Sequence, residues 1–108
     1  MAVQQNRTEK RAKMARALAQ AGFDDVLVLD RESAEEVLTP KRRELLDRVE
    51  QGDIRSVRRV AAAVNRDKGA VSKDLDLLFA HDLIVYHREK NRKIPRPKHE
   101  TVVVEPIL

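Results

Sequence analysis

Positively charged hydrogen-bond donors are the residues of this chain whose spacing promises chemistry, and they gather in three places. Between residues 87 and 99, Arg88, Lys90, Arg92, Lys93, Arg96 and Lys98 stand almost unopposed by acids. Such a cluster suits phosphate oxygens and the narrow, electronegative minor groove of a duplex. At the start of a helix expected over residues 68–80, Lys68, Gly69, Ser72 and Lys73 face outward. Two cations and a hydroxyl there can address base edges or phosphates, beside a glycine that lets a backbone approach closely. Arg58 and Arg59, with Lys41, Arg42 and Arg43, are spaced to grip phosphates on either side. Each cluster also has a plainer reading as a solvated face, because exposed lysine and arginine are ordinary. Asp74 and Asp76 repel phosphate, which limits contact to the first half of that helix.

Other chemistries find little support. The chain has no cysteine, which excludes disulfides, thiolate metal sites and cysteine nucleophiles. His81, His87 and His99 lack i, i+3 or i, i+4 pairing, so no metal is expected, although a hairpin sets His87 opposite His99. There is no glycine-rich phosphate loop, nucleophile-and-base pair or catalytic carboxylate pair, so neither enzyme activity nor a cofactor is expected. Phe23, Phe79 and Tyr86 are the only aromatics. They make no stacking platform for single strands, and duplex DNA is the better-matched polyanion.

Two helices must hold the outward residues. In SVRRVAAAVNRDKGAVSKDLDLLFA, Ser56 is an N-cap and Val57, Val60, Ala61 and Val64 form an apolar face. Asn65 and Arg66 break the pattern, Asp67 caps again, and Val71, Leu75 and Leu78 line the second helix. The alanines at 61–63 suit a close, steep crossing over a short turn. Upstream, residues 1–7 read as an irregular lead-in. Thr8 then caps a basic helix ended by Gly22, whose narrow stripe of Met14, Leu18 and Ala21 suits a partner. Residues 26–29 read as a strand and Ser33 with Glu36 as a capping box. Thr39-Pro40 opens a helix that buries Leu45, Leu46 and Val49 and closes at Gly52. Residues 83–86 and 101–104 are the most strand-like runs. Pro95 and Pro97 forbid regular pairing between them, so a long antiparallel hairpin with a mobile basic tip is expected. Val102, Val103 and Val104 in succession imply that both faces of its last strand are covered.

At 108 residues and 12.4 kDa, with a formal net charge of +4, the chain has room for one modest core and a mild preference for polyanions. Residues 1–22 read as a basic helical extension and 23–108 as the domain. The stretch 24–36 is acidic and unsuited to face DNA. No apolar run reaches membrane-spanning length and no secretory signal opens the chain, so a cytoplasmic protein without membrane contact is expected.

The order helix, helix, turn, helix, strand, basic loop, strand resembles the winged helix-turn-helix of MarR-like and ArsR-like regulators. More closely, LTPKRRELLDRVEQGDIRSVRRVAAAVNRDKGAVSKDLDLLFAHDLIVY resembles a family of small archaeal and bacterial DNA-binding transcription regulators. Leu38-Thr39-Pro40-Lys41-Arg42 matches the beginning of their first helix and Ser56-Val57-Arg58 that of the second. Arg66-Asp67 matches the turn into the third, and Lys73-Asp74-Leu75 a step within it. The resemblance implies a mainly α fold with a small antiparallel sheet, a third helix that reads the major groove and a hairpin wing on the backbone or minor groove. Two positions depart from the pattern. His81-Asp82 stand where leucine-glycine usually precedes the first wing strand, and Asp82 can adopt, at some cost, the left-handed conformation that glycine would take; Phe79 stands at a usually charged position. The expectation is a sequence-specific double-stranded DNA-binding regulator. It acts as a homodimer on half-sites about one helical turn apart, joined through the N-terminal helix, the 26–29 strand and a C-terminal strand reaching Leu108. The alternatives are a DNA-binding antitoxin whose N-terminal helix holds a protein partner, and a protein-interaction scaffold.

Overall fold

The computed structural model describes residues 2–105, with side chains from residue 9, as five helices and two two-stranded sheets. In chain order these are α1 (Ala2–Gln20), β1 (Val26–Leu29), α2 (Arg31–Val37), α3 (Pro40–Glu50), α4 (Val57–Ala63), α5 (Lys68–Ala80), β2 (Ile84–Glu89), β3 (Arg92–Pro97) and β4 (Thr101–Val104). They form two units, Glu36–Lys98 and the paired segments Met1–Glu35 and His99–Leu108.

In Glu36–Lys98 the helix starts follow from their caps. Thr39, Ser56 and Asp67 accept the backbone N–H of Arg42, Arg59 and Ala70, and Pro40 opens α3 where no N–H is needed. The helix ends are set by left-handed residues. Asn65 (φ 54°) terminates α4, with Asn65 N–H donating to Ala62 O and Arg66 N–H to Ala61 O. Asp82 (φ 64°) terminates α5 in the same way, through Phe79 O and Leu78 O, and so does what glycine would do before β2. The buried residues are Val37 of α2, Leu45 and Val49 of α3, Ile54 in the loop before α4, Val60 and Ala61 of α4, Val71, Leu75 and Leu78 of α5, and Leu83, Ile84, Ile94 and Pro95 around the hairpin. Of the three alanines, Ala61 is buried whereas Ala62 and Ala63 are exposed. A left-handed asparagine costs more than a glycine, so Asn65→Gly is expected to raise stability by about 0.5 kcal/mol, read as an increased urea midpoint at unchanged m.

The hairpin departs from the expected mobile loop. β2 and β3 pair antiparallel from Ile84↔Pro97 to Glu89↔Arg92 around a two-residue turn, Lys90-Asn91. The prolines do not prevent this, because of where the register puts them. Lys98 N–H donates to Leu83 O, which fixes the alternation: Val85↔Arg96 and His87↔Ile94 are hydrogen-bonded pairs, whereas Tyr86↔Pro95 and Ile84↔Pro97 are not. Both proline nitrogens therefore point off the outer edge of β3, where no ladder donor is required.

The other unit overturns the remaining strand expectation. β4 pairs in parallel with β1, Val26↔Thr101 to Leu29↔Val104, so one of the two sheets is parallel and no long hairpin joins residues 83–86 to 101–104. Asp25 draws β4 there. Its main-chain oxygen accepts from Thr101 N–H, its Oδ2 accepts from Glu100 N–H, and its Oδ1 lies 2.7 Å from His99 Nδ1. His99 consequently does not face His87, which pairs with Ile94 instead. Val102 and Val104 are exposed on the strand expected to be covered on both faces, and its continuation to Leu108 lies outside the described residues. α1 begins at Ala2, so Thr8 lies within the helix rather than capping it.

The cap of α2 is Asp30, not Ser33. Ser33 N–H donates to Asp30 Oδ2, and Arg11 Nη1 lies 3.1 Å from Asp30 Oδ1. The Ser33 side chain, its backbone N–H and the charge of Arg11 outweigh burial and hold the Asp30 carboxyl below its ordinary value of 3.8. A carboxyl depressed in the folded state stabilises fully above the unfolded pKa and loses that contribution as pH falls through the folded one. Asp30→Asn is therefore expected to flatten the acid side of a melting-temperature profile below about pH 4.

Candidate nucleic-acid interface

The basic excess belongs to one unit. Glu36–Lys98 holds sixteen lysines and arginines against ten aspartates and glutamates, and the rest of the chain six against eight. The chain's net positive charge therefore lies within Glu36–Lys98.

α5 presents its first turns outward. Lys68, Gly69, Ala70 and Lys73 are exposed and Ser72 is half-buried, while Val71, Leu75 and Leu78 anchor the opposite side. Gly69 has a local reason as well: a Cβ there would lie 3.0 Å from Asp67 Oδ2, the atom that caps Ala70 N–H. Glycine leaves that cap uncrowded.

The acids of α5 are answered from within the unit. Asp74 Oδ1 accepts from Arg42 Nε at 3.1 Å and Asp74 Oδ2 from Arg66 Nη2 at 2.7 Å, with all three side chains largely covered. Arg42 Nη1 also donates to Glu36 O and Val37 O. Arg42, expected on phosphates, is thus an internal strut, and Asp74, expected to repel phosphate, is neutralised. Asp76 accepts the Tyr86 hydroxyl at 2.7 Å. Burial, and then Asp76's hydrogen bond and charge, push the pKa of that hydroxyl well above its ordinary value, so it stays protonated.

The hairpin cations divide by environment. Arg88, Lys90, Arg92 and Lys93 are exposed around the turn. Lys90 takes φ 57°, a conformation usually left to glycine. Lys93 Nζ sits 4.6 Å from the Tyr86 ring centroid, and that ring packs on Phe79 with centroids 5.3 Å apart. Phe79, at the position where the resemblance has a charge, is half exposed. Arg96 is half-buried, with Nη1 donating to Ile54 O at 2.9 Å, and Lys98 Nζ lies 2.8 Å from Asp82 Oδ1. Of the six wing candidates, four are exposed around the tip and two are tied to the body of the unit. Arg58 and Arg59 are exposed on α4, as are Lys41 and Arg43 on α3.

Sequence spacing missed two participants. Arg55, in the loop before α4, reaches the hairpin, where Arg55 Nη1 lies 3.7 Å from Glu89 Oε2. Arg66, read as a pattern break, closes the Asp74 cluster. The partners lie 34 and 8 residues away, and no local period signals either.

Among the described residues no group of three His, Asp or Glu is placed to hold a metal ion, and no helix is long and apolar enough to cross a membrane. No curated protein and no solved structure matches the chain. A family model does match, over residues 37–104, taking in α3, α4, α5, the hairpin and β4. On that match the chain belongs to the HVO_A0114 family.

Proposed function

We propose that Glu36–Lys98 is a winged helix-turn-helix that binds double-stranded DNA. The first turns of α5 enter the major groove and the β2–β3 hairpin lies as a wing on the backbone or minor groove. The protein then acts as a homodimeric transcription regulator of the cytoplasm, without a cofactor or catalysis of its own. One observation carries this reading: Lys68 and Lys73 on α5 and the cations of the hairpin tip stand exposed, while Asp74 is neutralised internally. Lys90 adds weight, because a lysine kept at a left-handed turn position costs about 1 kcal/mol that glycine would spare, yet puts a charge at the tip.

The test is fluorescence anisotropy of the whole chain with a random-sequence duplex across a salt series. Binding at low salt is expected, with log affinity falling linearly in log salt by about 0.9 per phosphate neutralised. No binding at low salt leaves the scaffold alternative.

A further inference from the structure

The face of the hairpin opposite Tyr86 and Lys93 holds a second group of cations. Strand alternation puts His87, Glu89, Ile94 and Arg96 on this face. With Arg55 they line an open cleft of about 500 Å³, the size of a small-ligand site, bordered by Arg88 and Pro97, which the same alternation assigns to the Tyr86 face. Arg96 is its fixed part. Nη1 donates to Ile54 O and Pro95 O, which orients the guanidinium while leaving it other N–H donors. Ile94 is buried and supplies an apolar floor. The one carboxylate of the cleft, Glu89, meets Arg55 at 3.7 Å, and both side chains are more than half exposed. Such a surface pair holds weakly, and an incoming anion can take the guanidinium.

We infer that this cleft binds a phosphate group carried on a small organic framework. Arg55 and Arg96 take the phosphate and the framework lies on Ile94. Guanidinium forks match phosphate oxygens in geometry and charge, and two of them outnumber the single acid. Of the residues proposed to meet DNA only Arg88 borders the cleft, and it takes no part in holding the phosphate, so the inference goes beyond the DNA-binding proposal and does not depend on it.

Titration of the ¹⁵N-labelled chain with phenyl phosphate tests this. Amide shifts confined to residues 54–56, 87–89 and 94–97 are expected, at about millimolar affinity and tighter than for inorganic phosphate. Arg55→Ala, at an exposed side chain whose loss leaves the core untouched, is expected to weaken binding about fivefold, and Lys13→Ala on α1 to leave it unchanged. Shifts spread over all exposed lysines, or equal affinity in Arg55→Ala, overturn the site. Inorganic phosphate binding as tightly as phenyl phosphate overturns the organic framework. A short duplex added afterwards separates the two sources of phosphate: retention of phenyl phosphate supports the small ligand, and its release assigns the cleft to a nucleic-acid backbone and overturns that reading.

Discussion

Asp74→Ala is expected to destabilise the Glu36–Lys98 unit by about 3 kcal/mol in urea, followed through the fluorescence of Tyr86, the chain's single tyrosine. Asp74 accepts from Arg42 with one oxygen and from Arg66 with the other, and no other carboxylate is placed to replace it among the described residues. The guanidiniums keep about a fifth of their side-chain exposure, so water cannot fully take over when the acid is removed. Arg66 Nη1 is already buried without a partner, which leaves that group least able to absorb a further loss. The cost is therefore that of stranding charge rather than that of breaking a surface pair, which is worth at most about 1 kcal/mol. Asp74→Asn distinguishes charge from shape. An amide keeps one acceptor but turns N–H groups toward a guanidinium, so it is expected to cost nearly as much as alanine. In an Arg66→Ala background, Asp74→Ala is expected to cost at least about 1 kcal/mol less than in the native chain, the coupling that neighbours in one network show. Equal costs in both backgrounds sink the cluster as a support.

The same cluster shows where the chain's pattern was readable and where it was not. Local rules placed α3, α4 and α5, because Thr39, Ser56 and Asp67 act within three residues of themselves and the apolar periods repeat every turn. The left-handed Asp82 was suggested by the resemblance, not by a local rule. Pairings between distant segments were not readable in that way. The sequence 101–104 is as good a partner for β2 as for β1 by composition, and Asp25, 74 residues before His99, decides the matter through hydrogen bonds that no periodicity encodes. Pro95 and Pro97 were misread for the opposite reason. Proline is forbidding only where a ladder donor is needed, and that depends on a register set by the Lys90-Asn91 turn. Among the candidate site residues, exposure followed the patterning for Lys68, Lys73 and the tip of the hairpin. Arg42 and Arg96 could not be told from their exposed neighbours, since what occupies them is Asp74 and Ile54 O, 32 and 42 residues away.

On duplex DNA the helix and the hairpin are expected to fail differently when their cations are removed. Arg92→Ala with Lys93→Ala lowers affinity by about tenfold on every sequence alike and reduces the salt slope by up to about 2, because phosphate contacts carry charge but no base information. Lys93 is not a loose charge: its ammonium rests on the Tyr86 ring, which Asp76 ties to α5, so this cation is registered against the helix proposed to enter the groove. Lys73→Ala instead changes the ranking of sequences, by about 1–3 kcal/mol at the position it reads, with a smaller change in slope. Lys73 shares the outward line of α5 with Gly69, opposite Val71, Leu75 and Leu78, the line proposed to meet base edges. Binding selections from a random duplex pool, run for the native chain and for each variant at two salt concentrations, separate the two effects. A Lys73 variant that loses affinity evenly on all sequences removes α5 from base reading, and an unchanged slope in the Arg92 and Lys93 double variant takes the hairpin off the DNA.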